Sequence, residues 1–365
     1  MTNREKEILQ LIKDKPMISQ KELAEKLNIT RSSVAVHITN LLKKGYILGK
    51  GYIVESGGEY VCVVGGANID LQGFPNNKLI PHDSNPGKVK MSLGGVGRNI
   101  AENLVRLGLK TRLISAVGND MYGTKILDEA RSIGLDMEES LIMEGQNTST
   151  YLSILNETGD MEVAISHMDI YDKITQDYIA AKKHVIEGST VCVVDTNIPQ
   201  EVIEYMLTNF KGVDFFLDTV STTKCRKVKD LISYFHTIKP NKIEAEMLTG
   251  IKINNDEDLK KAAEYLIDKG VKNVFITLGE EGIFYHNGSE YGKIKSPKIK
   301  VVNATGAGDA FVAALVYSRL NDFSIESMGK FAMTASILAL SHENTINPNM
   351  SVENINNKMK ELKLC

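Results

Sequence analysis

Asn303-Ala-Thr-Gly-Ala-Gly-Asp309, running on into Ala310-Phe-Val-Ala-Ala-Leu315, decides how the rest of the chain is read. A strand is expected over Lys298 to Val302, then a glycine-bearing turn, then an apolar helix with an aspartate in its first turn. Such a turn aims the backbone N–H groups of Gly306, Ala307 and Gly308 at one point beside the Asp309 carboxylate. N–H groups left unpaired at a helix start favour negative charge, which suits a phosphoryl group in transfer. Asp309 is placed to take a proton from an attacking hydroxyl; read by itself it is an acid that complements the helix dipole.

Upstream, Tyr60-Val-Cys-Val-Val-Gly65 reads as a buried strand of a parallel sheet. It delivers Asn68 and Asp70, two residues apart and so able to face one side. An amide beside a carboxylate suits vicinal hydroxyls, although the pair alone also marks an Asx-rich turn. Residues 71–92 are polar and broken by proline, and read as a loop or flap outside the core. Gly94-Gly95-Val-Gly97-Arg98-Asn99 opens a helix that turns Ile100, Leu104 and Leu107 inward and ends at Gly108. The motif is not a dinucleotide fingerprint, because Gly-x-Gly-x-x-Gly/Ala counted from Gly95 ends on Ile100, and no Walker A sequence occurs.

Thr148 to Asn156 and Met161 to Ile165 read as two strands about the turn Glu157-Thr-Gly-Asp160. With residues 71–92 they are expected to form a small sheet that lies over the site as a lid; the alternative is an ordinary edge hairpin. Further strands are expected over Val191 to Asp195, Asp214 to Asp218, Thr237 to Lys239 and Val274 to Leu278, with helical spacing between them. That alternation predicts a three-layer α/β sandwich. The polar strand ends Asp195-Thr-Asn197, Asp218-Thr219 and Lys239-Pro-Asn241-Lys-Ile-Glu244 each read, taken singly, as solvated loops. Thr277-Leu-Gly279-Glu-Glu-Gly282 is a turn suited to backbone contacts with phosphate or nucleotide.

Residues 1–55 differ in character. They carry ten Lys/Arg against six Asp/Glu, whereas the remainder carries 33 against 40, so a basic head precedes an acidic body. Three amphipathic helices are expected: Asn3 to Lys13 with Ile8, Leu9, Leu11 and Ile12 inward; one opened by the capping box Ser19-Gln-Lys-Glu22, burying Leu23 and Leu27; and one capped by Thr30, burying Val34, Ile38, Leu41 and Leu42. A hairpin about Gly49-Lys-Gly51 and a linker, Glu55-Ser-Gly-Gly58, follow. No run of ~18 apolar residues is present, so no membrane span is expected. The opening residues lack an apolar signal, and the four scattered cysteines form no CxxC pair, which together point to a cytoplasmic protein without a cysteine metal site.

The head resembles the winged helix-turn-helix of bacterial regulators across ISQKELAEKLNITRSSVAVHITNLLKKGYI. That resemblance implies DNA reading by Arg31, Ser32, Ser33 and His37 at the start of the third helix, with Lys43, Lys44 and Lys50 near phosphates. It also implies a homodimer; a protein-interaction head is the other reading of the same charges.

The body, over about residues 60–350, resembles the ribokinase-like (PfkB) sugar and nucleoside kinases, on Gly66-Ala-Asn68-Ile-Asp70, Gly94-Gly95 with Asn99, Asn241-x-x-Glu244, Thr277-Leu-Gly279 and Thr-Gly-Ala-Gly-Asp309 in that order. Within that family GGVGRNIAENLVRLG, TSTYLSILNETGDMEVAI and VVNATGAGDAF are most similar to the pseudouridine kinases. The resemblance implies a kinase domain with a β lid over 59–365 after the head over 1–55. It implies transfer of the ATP γ-phosphate to the 5′-hydroxyl of pseudouridine, with another nucleoside or a sugar as the alternative acceptor. By that resemblance Asn68, Asp70, Gly95, Asn99 and Asn197 hold the ribose, and Asn241 and Glu244 organise Mg2+ and its waters. Thr277, Gly279 and Asn344 serve the nucleotide, and Asp309 is the base over the 306–308 anion hole. A monovalent cation also belongs to the family pattern, but the commoner form has aspartate where this chain has Asn303. The combination implies an enzyme that also regulates through DNA; a ligand-sensing regulator built on a kinase fold is the alternative.

Overall fold

The computed structural model describes residues 1–15, 17–47 and 59–364. They fall into two compact units, Met1–Glu59 and Tyr60–Cys365.

The first unit is three helices, Asn3–Asp14, Gln20–Leu27 and Arg31–Lys43. Each begins on a hydroxyl cap: Thr2 and Ser19 close capping boxes with Glu5 and Glu22, and Thr30 accepts the Ser33 N–H. Ile8, Ile12, Ile18, Leu23, Val34, Ile38, Leu41 and Ile47 form its core. Leu42 departs from expectation. It is 43% exposed, because the buried stripe of a helix this short is already filled by Val34, Ile38 and Leu41. Leu27 is only partly buried. The hairpin about Gly49-Lys-Gly51, with Lys50, and the linker 55–58 lie outside the described residues.

The second unit is built on strands β1 (Val61–Val64), β2 (Asn68–Pro75), β3 (Gly87–Gly94), β4 (Thr111–Ile114), β5 (Ala116–Gly118), β6 (Leu141–Met143), β7 (Thr150–Leu155), β8 (Met161–His167), β9 (Val191–Asp195), β10 (Asp214–Asp218), β11 (Thr237–Ile238), β12 (Asn273–Thr277), β13 (Ile283–His286) and β14 (Tyr291–Ile294). Eight of them make one sheet in the order β14-β13-β12-β11-β10-β9-β1-β4, parallel except at β12-β13-β14. Alternate residues of β1 enter opposite cores: Cys62 and Val64 one, Val61 and Val63 the other. Both faces are therefore covered by helices, which is the three-layer α/β sandwich.

A second sheet, β3-β2-β7-β8, is the expected lid. Residues 71–92, read as a loop, supply most of β2 and β3. Their sequence hides this because β3 is almost wholly wet, so no apolar alternation marks it. The strand expected at Lys298 to Val302 is absent. Its alternating Lys and β-branched residues have strand character, but the segment finds no partner strand, and Val301 and Val302 are 51% and 54% exposed. It is tied down by the Val302 N–H, which donates to the Leu340 carbonyl at 2.8 Å.

Candidate active site

The site grows from the carboxyl ends of β1, β9, β10 and β11, where parallel sheets offer a crevice. Here the reading of Asp195-Thr-Asn197 and Asp218-Thr219 as solvated loops is overturned, whereas Asn241, Lys242 and Ile243 at the third strand end are exposed and Glu244 is buried. Asp195, Thr196 and Thr219 are wholly buried, and Asp218 is 3% exposed. Each strand end looks like a loop in sequence, but four neighbouring parallel strands stop at one level and bring those ends together.

Asp195 is the organiser. Its Oδ2 accepts the N–H groups of Gly66 and Gly97, both at 2.8 Å, and its Oδ1 accepts the Asn197 N–H at 2.8 Å. One carboxylate thus joins the segment after β1 to the helix Val96–Arg106 and to the segment after β9. Gly95 precedes that helix at φ +95°, and any Cβ there would run into the backbone of Gly66 and Ala67. Asn68 Nδ2 donates to Asp70 Oδ1 at 2.6 Å, so the two polar groups do share one side. Burial raises the Asp70 carboxyl above its ordinary range, against the opposing Asn68 hydrogen bond and the Arg98 charge. Asn197 accepts a hydrogen bond from Lys224 Nζ.

The helix Ala307–Leu320 begins on Gly306, at φ +83°, where a side chain would strike the Thr345 carbonyl. Asp309, in its first turn, is 8% exposed, and Asn99 Nδ2 donates to its Oδ2 at 2.8 Å. Burial, then the Asp218 carboxylate, pushes Asp309 up to about 7, against the opposing Asn99 hydrogen bond and the Lys239 ammonium. Lys239 is the cation that sequence reading passed over. Its Nζ lies 3.3 Å from Asp218 Oδ2 and is kept charged, despite burial, by Asp218, Glu244 and Asp309. Its signal was present: a lysine at a strand end, between two aspartate-ended strands and a glutamate-bearing helix start.

Asn241 and Glu244 are brought together, as the capping box of the helix Lys242–Thr249. Glu244 Oε2 accepts the Asn241 N–H at 2.9 Å and the Thr219 hydroxyl at 2.6 Å. Asn241 also bridges Thr277, and Gly279 follows at φ +61° with open space around its Cα. Asn303 clasps the loop across from it: Nδ2 donates to the Glu343 carbonyl at 3.0 Å, while Oδ1 accepts the Thr305 N–H at 3.0 Å. A cleft of about 340 Å³ is lined by Asp70 and Arg98 on one side and by Asn303, Thr305, Asn344 and Thr345 on the other.

In the head, Arg31 and Ser32 are exposed, the Ser33 hydroxyl bonds to Thr30 Oγ1 at 2.8 Å, and His37 is half-buried. Val36, 59% exposed, lies on the same helix and was not singled out from sequence. Lys44 is an ion-pair partner of the buried Glu5 at 2.8 Å.

Residues 59–352 match the model of the pfkB family carbohydrate kinases. The chain belongs to that family. It is a sugar or nucleoside kinase, an ATP-dependent phosphotransferase with an alcohol acceptor. Residues 1–47 match the model of a winged helix-turn-helix DNA-binding domain. The pseudouridine kinase of Escherichia coli is 42% identical over 298 residues, 81% of this chain and 95% of that protein. The uncharacterized sugar kinase YeiI of Escherichia coli is 36% identical over 355 residues, 97% of this chain and 98% of that one. A Clostridium perfringens protein assigned as a sugar kinase superposes with a TM-score of 0.77 at 44% identity, covering 83% of this chain and 96% of its own. Among the described residues no helix is long and apolar enough to cross a membrane.

Proposed function

We propose that this family member transfers the γ-phosphate of ATP to the 5′-hydroxyl of pseudouridine. The observation that carries the reaction is a buried Asp309 at a glycine-led helix start, with, among the described residues, a single side-chain amide donor on one oxygen. Its other oxygen is left to take the proton of the attacking hydroxyl. Gly306, Ala307 and Gly308 present backbone N–H groups to charge developing on the moving phosphoryl group. Lys239 holds positive charge in the same crevice. Asn68, Asp70, Gly95, Asn99 and Asn197 orient the ribose, and Thr277, Gly279 and Asn344 serve the nucleotide.

Among the described residues no cluster of three or more His, Cys, Asp or Glu side chains could hold a metal ion. That suits Mg2+, which keeps several waters and leans on nucleotide phosphates together with one or two carboxylates. Glu244, with Asn241 beside it, is the group in reach. When bound, the ion would neutralise charge on the phosphates. A monovalent cation suits the turn less well, because the Asn303 side-chain amide already donates to the Glu343 carbonyl.

The choice of acceptor rests on the 42% identity to a pseudouridine kinase. ADP release over a panel of nucleosides and sugars tests it.

A second reading concerns the head. Its match to a DNA-binding model, with Arg31, Ser32, Val36 and His37 on the third helix, favours a domain that enters the major groove, acting as a homodimer. The enzyme would then also act as a regulator in the cytoplasm. Retention of an intact Asp309 site speaks against a ligand sensor without turnover. DNA binding that weakens steeply with salt is the test.

A further inference from the structure

The helix Val96–Arg106 carries an ion-pair ladder that the reaction scheme does not use. Arg98 and Glu102 are 6% and 4% exposed and pair through Arg98 Nη2 and Glu102 Oε2. Glu102 Oε1 accepts from Arg106 Nη2 at 2.6 Å and Nε at 2.9 Å, and Arg106 Nη1 donates to the Pro348 carbonyl at 2.9 Å. Burying a guanidinium is costly, and an apolar pair of similar volume would hold a helix at least as well. The ladder is therefore not explained by stability alone. Arg98 Nη1 donates to Asn99 Oδ1 at 3.2 Å, next to the bond from Asn99 Nδ2 to Asp309.

We propose that Arg98, held by Glu102, is a positioning residue that fixes the orientation of the Asn99 amide so that an N–H faces Asp309. A guanidinium has donors only, so the Asn99 side chain must turn its oxygen toward it. The amide nitrogen then points the other way, at Asp309 Oδ2. Without Arg98 the amide is free to rotate by half a turn and present oxygen to Asp309. A carbonyl oxygen repels a carboxylate but accepts a hydrogen bond from a protonated carboxyl, so the flipped amide stabilises the form of Asp309 that cannot act as a base. The other groups acting on Asp309 are Asp195, Asp218 and Lys239, on β9, β10 and just beyond β11, and none of them touches Arg98. The inference rests on Asp309 being the base.

The test measures two things on the full chain: the Asp309 side-chain titration by 13C NMR, and the pH profile of kcat/KM. Arg98→Met is expected to move the Asp309 titration up by about one unit, so that activity falls roughly tenfold below the midpoint and recovers at high pH. Arg98→Lys keeps a donor-only cation but loses the fork that reaches both Asn99 and Glu102, so it is expected to restore the wild-type midpoint only in part. If Arg98→Met does not fold, Glu102→Gln, which releases Arg98 without emptying its space, must give the same upward shift. An unmoved Asp309 titration in the folded variant overturns the inference, whatever the loss of rate. A titration that moves while the rate profile stays still upholds the positioning role and instead removes Asp309 as the base.

Discussion

Asn99 Nδ2 donates to Asp309 Oδ2 at 2.8 Å across 210 residues of chain, joining the helix that opens on Gly95 to the helix that opens on Gly306. On the mechanism proposed above, the contact ties the acceptor side of the crevice to the phosphoryl side and leaves the other carboxylate oxygen for the incoming hydroxyl.

Since Asp309 is pushed up to about 7, it is mostly protonated at pH 6 and mostly ionised at pH 8, and in the proposed role only the ionised form acts as base. The kcat/KM profile should therefore rise through a midpoint near 7. Asp309→Ala should lower kcat by two or more orders of magnitude while largely sparing substrate binding, as steady-state kinetics and nucleoside titration would show. Near-normal turnover in that variant would take the base role from Asp309.

The same raised value makes a stability prediction. A carboxyl whose folded value lies above its unfolded one binds its proton more tightly when folded, so stability falls as pH rises from about 4 to about 7. Asp309→Asn should stabilise the chain at pH 8, by at most about 4 kcal/mol, with no gain at pH 4. Urea unfolding at the two values checks this; equal effects at both would contradict it.

Asn303 predicts behaviour toward salts. Its amide already bonds the Glu343 carbonyl and the Thr305 N–H, so the turn is tied without a cation. Turnover should be the same within about twofold in potassium and in tetramethylammonium chloride at matched ionic strength. Asn303→Ala should lower kcat roughly tenfold by loosening the anion hole. A wild type that needs potassium would refute this account of Asn303.

For the head, Arg31→Ala should weaken binding to DNA from the chain's own promoter by about 1–3 kcal/mol if Arg31 reads a base edge. Turnover should be unchanged. Electrophoretic mobility shifts across a salt series would measure it, and salt-independent binding would favour a protein-interaction head.

Much of this was legible in the chain. The caps at Ser19 and Thr30, the apolar run before Gly65, and the glycine turn before Asp309 carry local chemistry, so they survive being read alone. What was hidden depends on neighbours. Lys239, Asp195 and Asp218 are far apart in sequence and meet because β9, β10 and β11 are adjacent and parallel. Strand β3 lacks an apolar face to announce it, while Lys298 to Val302 shows the opposite failure, strand-like residues with no strand beside them. Arg98 gave no signal at all, since its meaning depends on which way the amide of the next residue points.

The acceptor is the central claim, and ADP release measured with pseudouridine, uridine, adenosine, inosine and ribose under identical conditions tests it most directly. Pseudouridine should give the highest kcat/KM by at least about tenfold, consistent with discrimination by a few polar contacts. Ribose or adenosine turning over far better than pseudouridine would contradict the account.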